Sequence, residues 1–144
     1  MGAFTPANPD YQATVRELLL AMPYVKWLGL TFEHIGPGRV DFTMPLRPEI
    51  TFDGKAVQAG PIGSLLDFSG GAACFSLAPA GVFLSTIDFS CKMLAPAIGE
   101  RFIGRGEVLS AGKSIYVARA DAFAVRAGAE RLVATGLVTM RALA

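Results

Sequence analysis

The chain is expected to fold as one α+β domain, a single antiparallel β-sheet wrapped around one long buried helix. Three observations lead there. The segment opened by Gly60-Pro61 and running to about Leu77 is apolar almost all round, as in a helix covered on every side. Four strand-like segments follow it, roughly 82–93, 101–110, 114–126 and 131–141, with only short turns between them. In the third of these, Ala118, Ala120, Ala122 and Ala124 share one face, a strip of small side chains on which a helix can sit close. Strands that follow one another without intervening helices point to an antiparallel sheet.

The remaining elements read in order. Asn8-Pro9 suits a helix start, with Asn as N-cap and Pro in the first turn. Tyr11, Val15, Leu18, Leu19 and Met22 recur at helical spacing until Pro23 ends the run, so residues 1–28 form an N-terminal helical segment. Leu30 to Ile35 and Arg39 to Leu46 flank Gly36-Pro37-Gly38, a hairpin signal, and Arg47 to Val57 is irregular. From Thr86 onward polar Thr86, Asp88, Ser90 and Lys92 alternate with Ile87, Phe89, Cys91 and Met93, the pattern of a half-buried strand. No linker, repeat or low-complexity tract divides residues 1–144.

Composition narrows the function. The chain has 144 residues, of which 52% are hydrophobic and 17% charged, enough apolar material for a real core. Its mean hydropathy of +0.44 is high for a lone monomer, so apolar surface is expected to be buried between subunits. A formal net charge of +1 with no basic run argues against nucleic acid. Cys74 and Cys91 stand isolated in apolar stretches and are read as free thiols of a reducing cytosol. With His34 the sole histidine and no CxxC, no metal site is expected. The first ten residues lack the basic and apolar regions of a signal peptide, so the expected location is cytoplasmic. Phe68 to Ile87 carries no charge over a membrane-spanning length, but Ala78-Pro79-Ala80-Gly81 cuts it, so helix, turn and strand is the better reading.

Asp67 is the residue out of place. It lies within the apolar helix, where an unpaired carboxylate is costly, and its neighbours at helical spacing are Gly63, Ser64, Gly70 and Gly71. Each glycine costs the helix on the order of 1 kcal/mol. Either the helix packs very close to the sheet, or a cleft beside Asp67 admits a ligand; the two readings are compatible. Upstream, Gln58-Ala59-Gly60 feeds the helix N-terminus, whose free amides and positive dipole end suit an anion or a developing oxyanion.

Taken together, Gln58-Ala59-Gly60, Asp67 nine residues after the glutamine, and Gly70-Gly71-Ala72-Ala73 resemble the PaaI-like acyl-CoA thioesterases. Those proteins commonly carry HGG, six residues, then Asp or Glu in a helix of small residues. Thr86-Ile87-Asp88-Phe89, Leu94-Ala95-Pro96-Ala97 and Ala111-Gly112-Lys113-Ser114 resemble, in the same order, the family's central strand and two of its turns. The resemblance covers about residues 40 to 141. It implies a hotdog fold and a homodimer with shared active sites, often paired into a tetramer. No cofactor is implied beyond CoA as part of the substrate.

By the same resemblance Asp67 would be general base or nucleophile, and the Ala59 N–H, supplied by the other subunit, would polarise the thioester carbonyl. Gln58 stands where the family often has histidine, and Thr86 would orient water or Asp67. Gly60, Asp53, Ser64, Lys113 and Ser114 would contact substrate, the last two at the pantetheine or nucleotide end of CoA. The family asparagine six residues before the histidine falls on Phe52, with Asp53 one position away. Other residues read more plainly. His34 is a surface or dimer-edge residue, Asp88 is structural, and Lys92, Arg101 and Arg105 lie on a solvated strand face or reach CoA phosphates. Phe68, Phe75, Phe83 and Phe89 line either an aromatic acyl pocket or an ordinary core. Acyl-CoA hydrolysis is the function expected. A non-catalytic acyl-CoA-binding protein is the alternative, favoured by Phe52, and a hydratase is disfavoured by the distance in sequence between His34 and Asp67.

Overall fold

The computed structural model describes residues 3–143. The elements, in chain order, are α1 (Tyr11–Leu20), α2 (Pro23–Leu28), β1 (Thr31–Gly36), β2 (Arg39–Pro45), α3 (Ala59–Phe75), β3 (Leu84–Phe89), β4 (Lys92–Met93), β5 (Arg101–Ala111), β6 (Ile115–Arg126) and β7 (Ala129–Ala142). A 3-10 turn, Pro48–Ile50, and two isolated bridges, Thr51 to Val57 and Ala56 to Ile98, order the connection into α3. The strands form one antiparallel sheet in the order β1-β2-β5-β6-β7-β3, with β4 also pairing with β7. The sheet curls around α3, giving the hotdog arrangement.

Small residues set how deeply α3 sits. Ala118, Ala120, Ala122 and Ala124 of β6 are all buried beneath it. Gly104 and Gly106 of β5 allow a closer approach than alanine would. A Cβ on Gly106 would stand 2.0 Å from the Ser69 carbonyl oxygen, and one on Gly104 would stand 2.3 Å from Ser69 Oγ. Gly70 faces Val138 of β7 in the same way, since a Cβ there would meet its side chain at 2.7 Å. Ser69, buried at this contact, donates its hydroxyl to the Leu65 carbonyl at 2.7 Å and so leaves no orphan donor.

Three sequence expectations need correction. Asn8 does not cap α1. Its side-chain oxygen accepts from the Asp10 amide at 3.0 Å and its amide donates to Thr14 Oγ1, so a short turn precedes the helix and Asp10 takes the cap position. Pro23 ends α1 but also begins α2, where its fixed φ suits a first helical turn. The expected strand at 82–93 is two strands on one edge of β7, broken at Ser90. The break follows from Gly136 in β7, where a Cβ would lie 1.9 Å from the Ser90 carbonyl oxygen. The chain crosses there in close contact, and Ser90 exchanges hydrogen bonds with Leu137 (2.9 and 3.0 Å) in place of regular pairing.

β3 also carries a bulge. Thr86 pairs with Met140, Asp88 with Thr139 and Phe89 with Val138, so Ile87 has no partner in the register. Thr86 and Asp88 therefore do not share a face as strict alternation would have it. Thr86 stands with the helix-facing residues, and Asp88 lies exposed opposite Thr139. Phe89 returns toward α3, where a Cβ on Gly63 would meet its ring at 3.3 Å.

Candidate functional site

Asp67 projects from the middle of α3 at the mouth of a cavity of about 160 Å³. Leu19 reaches it from α1 and Met22 from the turn between α1 and α2. Phe68, Gly71, Ala72 and Phe75 come from α3, Phe83 to Thr86 from β3 and its approach, and Met140 from β7. The lining is apolar save for Asp67, Ser85 and Thr86. Gly71 serves this cavity, whereas Gly70 serves packing on β7, so both readings of the glycine-rich helix hold at adjacent residues.

The carboxylate has one side-chain hydrogen bond: Thr86 Oγ1 donates to Asp67 Oδ1 at 2.9 Å. The bulge in β3 is what turns Thr86 to face it. Burial raises the Asp67 pKa above its ordinary 3.8, and the Thr86 hydrogen bond opposes that rise without cancelling it. A half-buried carboxylate of raised basicity beside an apolar cavity is equipped to accept a proton or to attack an electrophile held there.

The residues at the start of α3 form a separate place. Gln58 holds the cap position and makes no side-chain cap, while its backbone amide donates to the Ile50 carbonyl at 2.9 Å. The Ala59 and Gly60 amides lie in the first turn, where a helix offers no carbonyl partner and carries its positive end. Nothing lies within 4 Å of a Cβ built on Gly60, so the approach is open. A groove here is lined by Phe52, Gln58, Ala59, Met93, Leu94 and Pro96, among others. Ala59 and Asp67 are eight residues apart, about 12 Å along a helix that rises 1.5 Å per residue. Within one protomer they do not reach the same carbonyl group.

The other expected site residues fall in three places. Lys113 and Ser114 line an open groove together with Ser85, Tyr116 and Arg141. Ser85 also lines the Asp67 cavity, so groove and cavity lie side by side at this strand. Arg141 was not anticipated, because its strand phase gave no sign that it would stand beside Lys113. Ser64 lines neither cavity. Its hydroxyl is engaged with Tyr24 Oη at 2.9 Å and with the Gly60 carbonyl at 3.1 Å. Asp53 is fully exposed and turned into its own loop, where Oδ1 accepts from the Lys55 and Ala56 amides at 2.8 and 2.7 Å. Those bonds hold its pKa down. Phe52, at the position of the family asparagine, is 66% exposed.

Several bystanders are accounted for. Arg105 makes a two-pronged ion pair with Glu130, both contacts at 2.8 Å, and covers the Phe123 ring, so it serves the outer sheet face and not a phosphate. His34 is exposed on β1. Both cysteines are free, and burial pushes the Cys74 thiol up to about 12, far from nucleophilic. Phe68, Phe75 and Phe83 line the Asp67 cavity, while Phe89 lies outside it. Among the described residues no three acidic, histidine or cysteine side chains cluster in a way that would hold a metal. No helix among them is long and apolar enough to cross a membrane.

The chain is similar to a thioesterase family protein from Silicibacter pomeroyi, with 37% identity and a TM-score of 0.90 over 92% of this chain and 98% of that one. It is similar to a conserved protein from Pseudomonas aeruginosa, with 25% identity and a TM-score of 0.78 over 89% and 98% of the two chains. The fold also matches the PaaI protein of the phenylacetic acid degradation operon of E. coli, at 16% identity and a TM-score of 0.83 over 96% of each chain. No protein-family model matches the chain, and no curated protein matches it in sequence.

Proposed function

Because the chain belongs to the thioesterase family and carries its hotdog fold, we propose that it hydrolyses the thioester of a small, medium or aromatic acyl-CoA, releasing the free acid and CoA. The observation that carries this is Asp67 itself: a half-buried carboxylate of raised basicity, held by Thr86, at the mouth of an apolar cavity. The acyl group enters the cavity, and Asp67 takes a proton from the attacking water or attacks the carbonyl carbon directly. In the first case hydroxide adds to the carbonyl and the thiol leaves with the proton. In the second, the C–S bond breaks as CoA leaves as its thiolate, and water opens the acyl–Asp67 anhydride, releasing the acid and regenerating Asp67.

The developing oxyanion needs donors, and the Ala59 amide is about 12 Å from Asp67 in the same chain. The site is therefore completed by a second copy, with Ala59 and Gln58 of one protomer facing Asp67 of the other. The free edge of β3 supports this assembly. It ends the sheet, and it exposes Ile87 and Phe89, beside exposed Met93 and Leu94. Exposed Leu109, Leu132 and Leu137 are available to join two such dimers. Gly60 leaves room for substrate at the oxyanion donors. Lys113, Ser114 and Arg141 flank the neighbouring open groove, where two cations suit the CoA diphosphate. Unpaired Cys74 and Cys91 fit a reducing cytoplasm.

A second reading, an acyl-CoA-binding protein without turnover, is favoured by one observation. Phe52 replaces the family asparagine, and Asp53 is tied to its own loop. Thiol release from aryl-, short- and medium-chain acyl-CoAs, comparing the wild-type chain with Asp67→Asn, separates the two. Hydrolysis that depends on Asp67 is the result expected. Tight binding with no hydrolysis of any ester would establish the second reading.

A further inference from the structure

The cavity beside Asp67 has a far wall, and a second cavity lies behind it. That second cavity, of about 220 Å³, is bounded by Leu18, Ala78 and Val82 and reaches Asn8 and Thr14 at its rim. Only Phe75 and Phe83 line both cavities. Their rings meet edge to face, with centroids 5.5 Å apart and planes at 65°, an arrangement the ring quadrupoles favour. The two rings differ in how they are held. Phe75, in the last turn of α3, is buried. Phe83 is 45% exposed, and its backbone is fixed because its carbonyl accepts from the Leu143 amide at 2.9 Å. The Phe83 side chain can change without moving the strand that carries Thr86.

We propose that the Phe75–Phe83 pair is the wall that sets the length of the acyl group, and that the class accepted is a single six-membered ring or a chain of similar bulk. The inference rests on the thioesterase reading given above. Size supports it: an apolar cavity of about 150 Å³ lined by leucine, isoleucine and phenylalanine takes up benzene. The cavity beside Asp67, at about 160 Å³, matches that in size, and away from Asp67, Ser85 and Thr86 its lining is apolar too. A chain several carbons longer has nowhere to go unless the wall opens into the space behind it. Each methylene that then finds apolar burial is worth about fourfold in affinity.

The test is kcat/KM for butanoyl-, hexanoyl-, benzoyl- and decanoyl-CoA with wild type, Phe83→Ala and Phe83→Trp, alongside melting curves. Wild type should favour the hexanoyl and benzoyl esters and discriminate at least about tenfold against decanoyl. Phe83→Ala should raise decanoyl hydrolysis about tenfold or more relative to butanoyl hydrolysis in the same protein. Phe83→Trp tests the wall in the opposite direction and should depress the hexanoyl and benzoyl esters more than butanoyl. Hydrolysis with the same chain-length profile in all three proteins would overturn the wall and leave the thioesterase reading standing. No hydrolysis of any ester by wild type would overturn that reading, and the wall with it.

Discussion

Thr86 on β3 and Asp67 on α3, nineteen residues apart in sequence, share a hydrogen bond of 2.9 Å that supports the carboxylate from the sheet side. It favours the charged form, against the burial that disfavours it. Removing it with Thr86→Val should raise the Asp67 pKa further. Activity that depends on ionised Asp67 rises as pH climbs through that pKa, so the acidic limb of the kcat profile should lie above 3.8 in wild type and move to higher pH in the variant. An acidic limb in the same place in both proteins would remove Thr86 from the mechanism.

Asp67→Asn should lower turnover at least about a hundredfold with no loss of stability. A carboxyl whose pKa is raised by folding keeps a proton that the unfolded chain has released, so it stabilises least once pH exceeds the folded pKa. Its contribution is present below 3.8 and falls away as pH rises through the folded value. At neutral pH the neutral amide should leave the melting temperature equal to or above that of wild type. A markedly lower melting temperature would mean that Asp67 serves structure, and the activity loss could then not be assigned to catalysis.

Gly106 of β5 and Gly60 of α3 should respond in opposite directions. Gly106→Ala places a methyl 2.0 Å from the Ser69 carbonyl oxygen, in backbone that has little freedom to move. A destabilisation of about 3 kcal/mol or more in urea unfolding is expected. Gly60→Ala meets nothing within 4 Å, and alanine should stabilise by about 0.4–1 kcal/mol. That variant should nonetheless lose activity, because its methyl stands where substrate approaches the Ala59 amide. Greater stability with undiminished turnover would move the oxyanion donors elsewhere.

Ile87→Lys should yield monomers. It places a charge on the free sheet edge at a residue that is 57% exposed. Sedimentation should show the smaller species and circular dichroism an unchanged fold, while hydrolysis falls to the level of Asp67→Asn. A fully active monomer would mean that one protomer holds a complete site, contrary to the separation of Ala59 and Asp67.

The sequence made the scaffold legible because its strongest patterns were local. The apolar run from Ile62 to Leu77 and the alternating alanines of β6 needed no knowledge of what lay opposite. Asp67 stood out for the same reason, as one charge in an uncharged helix. What stayed hidden depended on partners distant in sequence. Gly104 and Gly106 are two glycines in a strand until Ser69 is seen against them. The split at Ser90 is dictated by Gly136. Asp53 looked available as a polar group beside the missing asparagine, but two amides of its own loop already hold it. Arg141 joins Lys113 only because β7 runs alongside the turn before β6.

The unpartnered Ile87 gives β3 a place where its length can change. Deleting a paired residue from a strand slides the rest by one position and turns every following side chain to the opposite face. Deleting Ile87 removes a residue that occupies no rung of the ladder, so Thr86 can still stand opposite Met140 and Phe89 opposite Val138. Deleting Asp88 has the same effect on the ladder, because Ile87 can then take the rung opposite Thr139. The bulge at Ile87 and Asp88 is thus where this strand is free to lose one residue and keep Thr86 and Phe89 on the helix side.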